Sequence, residues 1–394
     1  MSARRVLILG STGSVGTQTL DVIEHLNRLE GAPRFRVVAL AAGQNASLLF
    51  DQAARHGVRE LALAATDLPS SSGPGLRVGP DAAERLVREV DCDLVVAAMV
   101  GVAGLPATLA AVERGRHVAL ANKETLVAAG DLVIPAARAS GAALLPLDSE
   151  HSGVWQCLAG CSGGAPPMHC PAAVTRVTLT ASGGPFRSCT PAQLADATPA
   201  QALRHPTWTM GRKITIDSAS LMNKALELIE AHHLFGLSAD ALDAVVHPQS
   251  IVHALVEFAD ASVIAQLGVP DMRTPIQVAL TWPLRARAAT PRLDLAALAR
   301  LEFEPVDAAR FPAIEIAREA IAAGGTSGAV LNAANEACVE SFLSGEARRI
   351  RFDQIAPLTR EAMRAIPRVP VRTLADVLDA DRAARAFVRE RLAR

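Results

Sequence analysis

Aromatic residues are scarce in this chain of 394 residues, which contains three tryptophans and no tyrosine. Neither sign of charge is in excess, since the chain has 39 Lys and Arg and 40 Asp and Glu. The sequence therefore lacks the basic surplus that accompanies nucleic-acid binding. No stretch approaches the ~20 uninterrupted apolar residues of a membrane span, and the N-terminus lacks the apolar core and cleavage site of a signal peptide. We expect a cytoplasmic protein with no nucleic-acid partner and no membrane span.

Cysteine is also sparse, because six cysteines in so long a chain do not make a disulfide framework. Cys157, Cys161, His169 and Cys170 lie close in sequence, and thiolates and imidazoles are zinc ligands. Their spacing is irregular and lacks paired CxxC knuckles. We therefore interpret residues 157–173 as a surface loop rather than a zinc site.

What the chain does contain is a repeating apolar pattern. In the first 150 residues, short apolar runs alternate with stretches of helical periodicity. Continuously apolar strands separated by helices are typical of a parallel sheet covered on both faces. The predicted strands are 6–9, 36–40, 60–64, 94–98, 117–121 and 143–147, and the predicted helices are 17–29, 105–114 and 124–139.

The pattern changes twice after residue 150. A strand at 174–180 and antiparallel strands at 244–247, 251–258 and 262–267, with a hairpin turn at 260–261, indicate a mixed α+β region. Helical periodicity returns from Phe311 in residues 313–323, 329–343, 352–365 and 374–392. The sequence thus predicts an α/β protein with four segments: a Rossmann-type domain (1–150), an α+β domain (151–285), a linker (286–310) and a C-terminal helical bundle (311–394).

The turn after the first strand indicates a dinucleotide site. Residues 10–16 read Gly-Ser-Thr-Gly-Ser-Val-Gly and open a helix, so glycines and free helix N–H groups can approach a pyrophosphate. A glycine-rich turn that binds nothing is the alternative. The second strand is followed by Gly43-Gln44-Asn45 without the carboxylate of an NAD site, which favours NADP over NAD.

Polar clusters at 99–101, 121–125 and 148–151 also follow predicted strands. Because ligands of open α/β sheets bind outside the carboxyl ends of the strands, these clusters should meet at one rim. Asp148 and Glu150 are two apart in a chain predicted to be extended, so both can face one point. A solvated turn with two ordinary acids is the alternative.

A helix predicted from an N-cap at Ser218 to a stop at Gly236 carries a third carboxylate. On it, Asn223 and Glu227 are four apart, and Lys224 and Glu227 three apart. On spacing alone, Lys224 and Glu227 would form a surface ion pair. Together with Asp148 and Glu150, however, Glu227 completes a set of three carboxylates that can hold a hard divalent cation.

Two further segments have two interpretations each. Residues 182–186, Ser-Gly-Gly-Pro-Phe, follow a strand and can form an anion-binding nest, although such turns are common. Residues 205–213 contain Trp208 between Pro206 and Gly211, which suits a lid or a tryptophan packed under a loop.

Taken in order, these motifs resemble the 1-deoxy-D-xylulose 5-phosphate reductoisomerase family over nearly the whole chain. The motifs are Gly-Ser-Thr-Gly-Ser-Val-Gly at 10–16, Ala-Asn-Lys-Glu-Thr at 121–125, Asp-Ser-Glu-His at 148–151, Ser-Gly-Gly-Pro-Phe at 182–186, His-Pro-Thr-Trp-Thr-Met-Gly-Arg-Lys at 205–213, Asp-Ser-Ala-Ser-Leu-Met-Asn-Lys at 217–224, His-Pro-Gln-Ser at 247–250, Pro-Asp-Met-Arg-Thr-Pro-Ile at 270–276 and Leu-Asn-Ala-Ala-Asn-Glu at 331–336. The resemblance implies a homodimeric enzyme that rearranges and reduces this sugar phosphate to 2-C-methyl-D-erythritol 4-phosphate, in the methylerythritol phosphate route to isoprenoids.

The resemblance also implies the cofactors, which are NADPH and one divalent cation, Mg or Mn, and the residues that bind them. The NADPH residues would be Thr12, Gly13, Ser14 and Val15 at the pyrophosphate, Gly43, Gln44 and Asn45 at the adenosine ribose and 2′-phosphate, and Asn122, Glu124 and Gly211 along the cofactor. The metal ligands would be Asp148, Glu150 and Glu227. Gln44 departs from the family, where a basic residue is frequent at this position, so selection of the 2′-phosphate is weaker or is made elsewhere.

The substrate residues follow from the same resemblance. They would be Lys123, Ser149 and Glu150 at the sugar backbone, Ser182, His205, Ser218, Asn223 and Lys224 at the phosphate end, and Glu227 at the metal. The catalytic set would be Lys123, Glu150, His205 and Trp208, with Trp208 in a closing lid. The rearrangement implied is a retro-aldol cleavage and re-addition, followed by hydride transfer from NADPH.

Two other functions fit parts of the sequence. One is another NADP oxidoreductase with a Rossmann domain and an α+β domain, such as a homoserine or semialdehyde dehydrogenase. Such a dehydrogenase does not need three converging carboxylates, so a dependence of the activity on metal distinguishes the reductoisomerase from it. The other is a non-catalytic dinucleotide sensor, which would bind the cofactor without turnover.

Overall fold

The structure is a computed structural model that describes residues 3–29, 34–65, 75–208, 210–344 and 350–393. Its strands are β1 (Arg4–Leu9), β2 (Phe35–Ala42), β3 (Glu60–Leu63), β4 (Leu76–Val78), β5 (Leu94–Ala97), β6 (His117–Leu120), β7 (Leu144–Pro146), β8 (Val174–Ala181), β9 (Leu242–Val246), β10 (Val252–Phe258), β11 (Val263–Leu267) and β12 (Glu304–Pro305). Its helices are α1 (Ser14–Leu29), α2 (Ala46–His56), α3 (Ala82–Glu89), α4 (Leu105–Glu113), α5 (Glu124–Ser140), α6 (Ser149–Ser162), α7 (Pro191–Ala195), α8 (Pro199–Ala202), α9 (Arg212–Ala219), α10 (Met222–Phe235), α11 (Arg273–Thr281), α12 (Leu295–Leu298), α13 (Ala313–Ala323), α14 (Ser327–Leu343), α15 (Ile355–Ala365) and α16 (Leu374–Ala393). Single 3₁₀ turns lie at Val102–Gly104, Ala239–Ala241 and Phe352–Gln354.

The first sheet confirms the predicted α/β fold. Its described strands run in the order β4-β3-β2-β1-β5-β6-β7, and each neighbouring pair is parallel. Helices cover both faces of the sheet, so the buried parts of the central strands are apolar, and every residue of β5 is buried. The strand order reverses between β1 and β5, which opens a crevice at the carboxyl ends of these two strands.

Three elements of this first sheet layer are absent from the prediction. Strand β4 is only three half-buried residues long, so it has no continuous apolar run. Helix α2 has Asn45 as its N-cap, whose side-chain oxygen accepts from the Leu48 amide, and Gly57 as its C-cap, in the left-handed region. Helix α3 spans eight residues, too few for a decisive helical period.

The second sheet is mixed, with the described strand order β11-β10-β8-β9-β12. The predicted hairpin is confirmed, since β10 and β11 are antiparallel around a turn with Ala261 at φ 65°. The prediction that β9 joins an antiparallel group is wrong for its pairing with β8, which is parallel. The long crossover through α7–α10 returns the chain in the same direction, as a parallel pair requires.

Three local predictions are wrong. Asp148 and Glu150 do not share an extended segment, because Asp148 is the extended N-cap residue of α6 and Glu150 lies in the first turn of that helix. That helix continues to residue 162, so the first part of the predicted 157–173 loop is helical, and Cys157 is buried with its thiol 3.7 Å from the Ile264 carbonyl oxygen. Ser218 is not an N-cap but lies in α9, and α10 begins after Leu221, which has a φ of 58°.

The C-terminal helices α13–α16 confirm the predicted helical region. The predicted linker contains α12 and β12, and β12 pairs with β9 at the edge of the second sheet. Helix α14 packs closely on α5, because a Cβ at Gly328 would lie 2.0 Å from the Val127 carbonyl oxygen. This approach brings the helical region against the wall of the first domain. Among the helices of the described ranges, none has both the length and the apolar character to cross a bilayer.

Candidate active site

A cavity of about 870 Å³ lies at the carboxyl ends of β1, β5, β6 and β7. Its other walls come from β8, α9, α10 and the segment before α11. The three polar clusters that follow the predicted strands all contribute to its lining. The rim expected from a parallel sheet is therefore a closed site shared between both sheets.

The glycine turn forms one end of this cavity. Gly10 has a φ of 81°, and its carbonyl accepts from the Gly13 amide at 3.0 Å. A Cβ at Gly16 would lie 2.3 Å from the Gly10 carbonyl oxygen, so the turn requires glycine there. Gly13, Ser14 and Val15 line the cavity at the first turn of α1, where free amides favour an anion.

Four of the expected NADPH residues lie outside the lining that the described residues form: Thr12, Gly43, Gln44 and Asn45. Thr12 is half-buried and the other three are exposed at the end of β2. Asn122, Glu124 and Gly211 do line the cavity. The expected cofactor residues are thus split between the cavity wall and its outer rim.

Three carboxylates meet at the opposite end. Asp148 precedes α6, Glu150 lies in its first turn and Glu227 lies in α10. One oxygen from each lies within 4.8 Å of the others. Glu227 is almost fully buried, and the other two are half-buried at the cavity surface. Residues far apart in the sequence therefore converge on one point.

Two lysines hold these acids. The Lys123 ammonium donates to Asp148 and, at 3.2 Å, to Glu227 Oε1. The Lys224 ammonium donates to Glu150 Oε1 at 2.7 Å and to Glu227. The pairs Asn223–Glu227 and Lys224–Glu227 both form along α10, as their spacing predicts.

The electrostatics of this cluster favour further positive charge. Burial alone lowers the pKa of Lys123, but attraction to Asp148 and Glu227 outweighs it and holds this pKa well above its usual value. Burial raises the pKa of Asp148, yet the Lys123 ammonium holds it well below its usual range. Burial and repulsion by Glu150 leave the pKa of Glu227 raised. Two ammonium groups thus do not fully compensate three acids, and three hard oxygen donors fit a divalent cation.

Behind the acids lie two buried residues to which the sequence gives no role. His151 and Glu230 are fully buried, and with Asp148 they form a second grouping of possible metal ligands. The His151 Nε2 donates to the Glu227 backbone carbonyl at 2.8 Å. His151 therefore links the N-terminus of α6 to the middle of α10.

A pair of hydroxyls and an imidazole line the third part of the cavity. His205 Nε2 lies 3.0 Å from both Ser182 Oγ and Ser218 Oγ. His205 Nδ1 accepts from the backbone amides of Thr207 at 3.1 Å and Trp208 at 2.8 Å. Trp208 is half-buried on the cavity wall, and Thr209 lies outside the described residues.

The cavity wall includes further residues to which sequence reasoning gives no role. They include Asp21, Arg212, Lys213, His253, Asp271, Met272 and Arg273. Lys213 and the 270–273 segment lie in motifs that carry the family resemblance, which is the signal that could have found them. Lys213 pairs with Asp217 four residues later, and Arg273 pairs with Asp271 two residues earlier, so spacing alone makes both look like local ion pairs.

Comparison with known proteins identifies the family. A model of 1-deoxy-D-xylulose 5-phosphate reductoisomerase matches residues 6–130, a model of its C-terminal domain matches 144–235, and a further DXP reductoisomerase C-terminal domain model matches 267–387. A curated 1-deoxy-D-xylulose 5-phosphate reductoisomerase from Xanthomonas oryzae pv. oryzae (strain PXO99A) is 47% identical over 100% of this chain and 98% of the relative. The chain belongs to the 1-deoxy-D-xylulose 5-phosphate reductoisomerase family. A further reductoisomerase of the family, from Paraburkholderia phymatum, is 46% identical over 97% of this chain and 94% of its own.

Solved reductoisomerases share the whole fold. The enzyme from Zymomonas mobilis in complex with NADPH is 40% identical, with a TM-score of 0.88 over 99% of both chains. A DOX-P reductoisomerase in complex with NADPH, fosmidomycin and magnesium is 35% identical, with a TM-score of 0.89 over 99% of this chain and 98% of that one. The resemblance read from the sequence is confirmed.

Proposed function

We propose that this reductoisomerase converts 1-deoxy-D-xylulose 5-phosphate to 2-C-methyl-D-erythritol 4-phosphate, with NADPH and one divalent cation. The observation that carries the proposal is a single cavity with the glycine turn at one end and three convergent carboxylates at the other. The chain is accordingly an NADP-dependent oxidoreductase. Relatives of high identity carry the same activity in their names, and solved relatives hold NADPH and magnesium.

Asp148, Glu150 and Glu227 are the proposed cation ligands, and the cation is Mg or Mn. When bound, the cation polarises the oxygens of the substrate and NADPH supplies the hydride. Glu150 and Ser149 lie together at the N-terminus of α6, where the Ser149 hydroxyl donates to the Glu150 carboxylate. Both are proposed to face the sugar backbone.

The Lys123 ammonium is proposed to lie beside the reacting hydroxyls of the substrate. Its ammonium also lies 3.0 Å from Asn223 Oδ1, so α10 helps to fix it. The ammonium donates to Asp148, Glu227 and Asn223, so it acts as a hydrogen-bond donor at this site. Its role is therefore to orient and stabilise oxygen atoms of the substrate.

His205, Ser182 and Ser218 are proposed to hold the phosphate, with Asn223 and Lys224 beside them. Since two backbone amides donate to His205 Nδ1, a neutral His205 carries its proton on Nε2. Burial lowers the pKa of His205, which favours this neutral form. The Nε2–H then points at the two serine hydroxyls and donates to a bound phosphate.

Trp208 is proposed to close over the substrate as part of a lid, whose described residues are 205–208, 210 and 211. The Trp208 amide donates to His205, so the lid backbone and the phosphate-binding imidazole are directly connected. A bound phosphate, remote from the reacting carbons, supplies binding energy that closes the lid. A closed lid excludes water from the reactive intermediates.

The NADPH residues are proposed to be Thr12, Gly13, Ser14, Val15, Gly43, Gln44, Asn45, Asn122, Glu124 and Gly211. The helix N-terminus at α1 suits the pyrophosphate. The absence of a carboxylate after β2 leaves room for the 2′-phosphate, in keeping with the NADPH held by solved relatives.

A homodimer in the cytoplasm is proposed as the working form, with no nucleic-acid partner. Strand β11 lies at the open edge of the second sheet and exposes 53% of Val263 and 44% of Ile264. Apolar residues on an open strand edge favour pairing with another chain. Light scattering should give twice the chain mass, and a monomer at micromolar concentration would contradict the dimer.

The activity is tested by following NADPH absorbance with 1-deoxy-D-xylulose 5-phosphate, with and without a chelator. We expect oxidation that stops on chelation and returns with Mg²⁺ or Mn²⁺. Oxidation that ignores the chelator would favour a metal-independent dehydrogenase. Tight NADPH binding without any turnover would favour a dinucleotide sensor.

A further inference from the structure

Lys213 is a half-buried cation that the proposed chemistry does not use. It lies in the first turn of α9, two positions after Gly211. Its ammonium is 3.0 Å from Glu124 Oε1, 3.0 Å from Asp217 Oδ2 and 3.9 Å from Glu336 Oε1. These acids belong to three different helices, namely α5, α9 and α14. One side chain therefore joins the first domain, the helix after the lid and the C-terminal helices.

The acids around Lys213 are themselves fixed. Asp217 is fully buried, and its Oδ1 accepts from the Asn335 amide at 2.7 Å. Glu336 is paired with Arg385 on α16. Buried acids of this kind need a paired cation, because an uncompensated buried charge is costly. Lys213 is that cation for Glu124 and Asp217.

Lys213 is also part of the cavity wall. Lys213, Glu124 and Gly211 all line the cavity. Gly211 precedes α9 and ends the proposed lid, so the position of α9 sets the position of the end of the lid. Glu124 begins α5 directly after the end of β6, on the wall proposed for NADPH.

The charge of Glu124 depends on this contact. Burial would raise the pKa of Glu124, but the Lys213 ammonium outweighs burial and holds the pKa below its usual value. Glu124 is thus an ionised acceptor in a nearly dry position. Without Lys213 the same carboxyl would lose both its partner and its fixed orientation.

We propose that Lys213 is a positioning residue that holds Glu124 against NADPH and anchors the α9 end of the lid to the same point. This inference rests on the proposed placement of NADPH along Glu124. It assigns Lys213 no contact with the reacting atoms. Its loss should therefore weaken cofactor binding and lid closure while leaving the metal site intact.

The test compares Lys213→Met with Lys213→Arg and with a control, Arg360→Met. Arg360 is held by Glu319 in the C-terminal helices and is not part of the cavity lining, so its loss removes an ion pair without touching the site. Calorimetry with NADPH alone measures the Kd without turnover. We expect Lys213→Met to raise this Kd roughly tenfold, the change for one charge-assisted hydrogen bond, with Lys213→Arg between it and the parent and Arg360→Met unchanged.

Steady-state kinetics supply the second readout. We expect Lys213→Met to raise KM for NADPH and for the sugar phosphate, whereas the concentration of Mn²⁺ that gives half-maximal rate stays within about twofold of the parent. If Lys213→Met does not fold, the double variant Lys213→Gln with Asp217→Asn removes the cation together with one buried acid and still breaks the contact with Glu124. Circular dichroism at the assay temperature establishes that each variant is folded.

A purely structural role for Lys213 predicts a different result. A folded variant with a lower Tm but the parent Kd for NADPH would overturn the proposal. Because the NADPH Kd needs no turnover, this outcome is separate from a failure of the proposed function, in which the parent itself would not oxidise NADPH with the sugar phosphate. A rise in Kd for Arg360→Met equal to that for Lys213→Met would also overturn it, since instability alone would then explain the effect.

Discussion

Two clusters of charge reach the cavity wall, and each contains three acids and two cations. The catalytic cluster consists of Asp148, Glu150, Glu227, Lys123 and Lys224, and the anchor cluster consists of Glu124, Asp217, Glu336, Lys213 and Arg385. In the catalytic cluster the carboxylates face one another, and each lysine bridges two of them. In the anchor cluster Lys213 lies in the middle and separates the acids.

This difference in geometry determines what each cluster can do. Acids that face one another repel, so the catalytic cluster gains from a divalent cation at its centre. Acids around an ammonium are already compensated, so the anchor cluster gains rigidity. The same residue types therefore make a cation site in one place and a structural joint in the other.

The largest expected effect comes from Glu227→Gln in the catalytic cluster. This change keeps the shape of the side chain but removes one cation ligand and its charge. We expect kcat to fall by roughly a thousandfold or more, about 4 kcal/mol in transition-state stabilisation. The Kd for NADPH, measured by calorimetry, should stay near that of the parent. Activity close to the parent would count against the metal assignment.

Asp217→Asn makes the corresponding change in the anchor cluster. Here Lys213 keeps Glu124 but loses its fully buried charged partner, so the expected loss is about 2–3 kcal/mol in the free energy of unfolding. Urea unfolding measures it, and kcat at saturating substrates should stay within a few-fold of the parent. A loss of turnover as large as that of Glu227→Gln, with unchanged stability, would erase the distinction between the clusters.

Trp208→Ala tests the proposed lid. Removing the indole should lower kcat/KM about tenfold or more, about 1.4 kcal/mol, because the lid no longer excludes water. The Tm should change little, since Trp208 is only half-buried. A collapse of Tm with unchanged kinetics in the folded fraction would instead make Trp208 a core residue.

The smaller effect of the two anchor-cluster changes is expected for Arg385→Met. This residue pairs with Glu336 at the outer side of the anchor cluster, and 23% of its side chain is exposed. Because Arg385 also pairs with Asp381 and Glu340, its loss leaves three acids less compensated, and the free energy of unfolding should fall by about 1–2 kcal/mol, as measured by urea unfolding, without change in NADPH affinity. A loss larger than that of Asp217→Asn would show that Arg385, not Lys213, is the principal cation of the anchor cluster.

The sequence predicted best what depends on local pattern. Strand β5 is continuously apolar and β1 is apolar over residues 6–9, because both faces of the sheet are covered, so the first sheet could be derived from composition along the chain. The break before α10 could not be predicted from the sequence. The Leu221 φ of 58° is unfavourable for leucine itself, so the residues around it must impose this conformation. Leu221 is almost fully buried, so tertiary packing decides its conformation.

The site was predicted in part for the wrong reason. Asp148 and Glu150 converge because one precedes and the other lies within the first turn of a helix, not because the chain is extended. Lys213 and Asp217 are four apart on α9, and Lys224 and Glu227 three apart on α10, so both pairs look like ordinary surface ion pairs. Only the long-range partners, Glu124 for the first pair and Glu150 for the second, separate an anchor from a cation site.

The most direct test of the contrast is to count bound Mn²⁺ by electron paramagnetic resonance in the parent, Glu227→Gln and Asp217→Asn. The account predicts one tight ion per chain in the parent and in Asp217→Asn, and none in Glu227→Gln. An ion retained by Glu227→Gln, or lost from a folded Asp217→Asn, would contradict it.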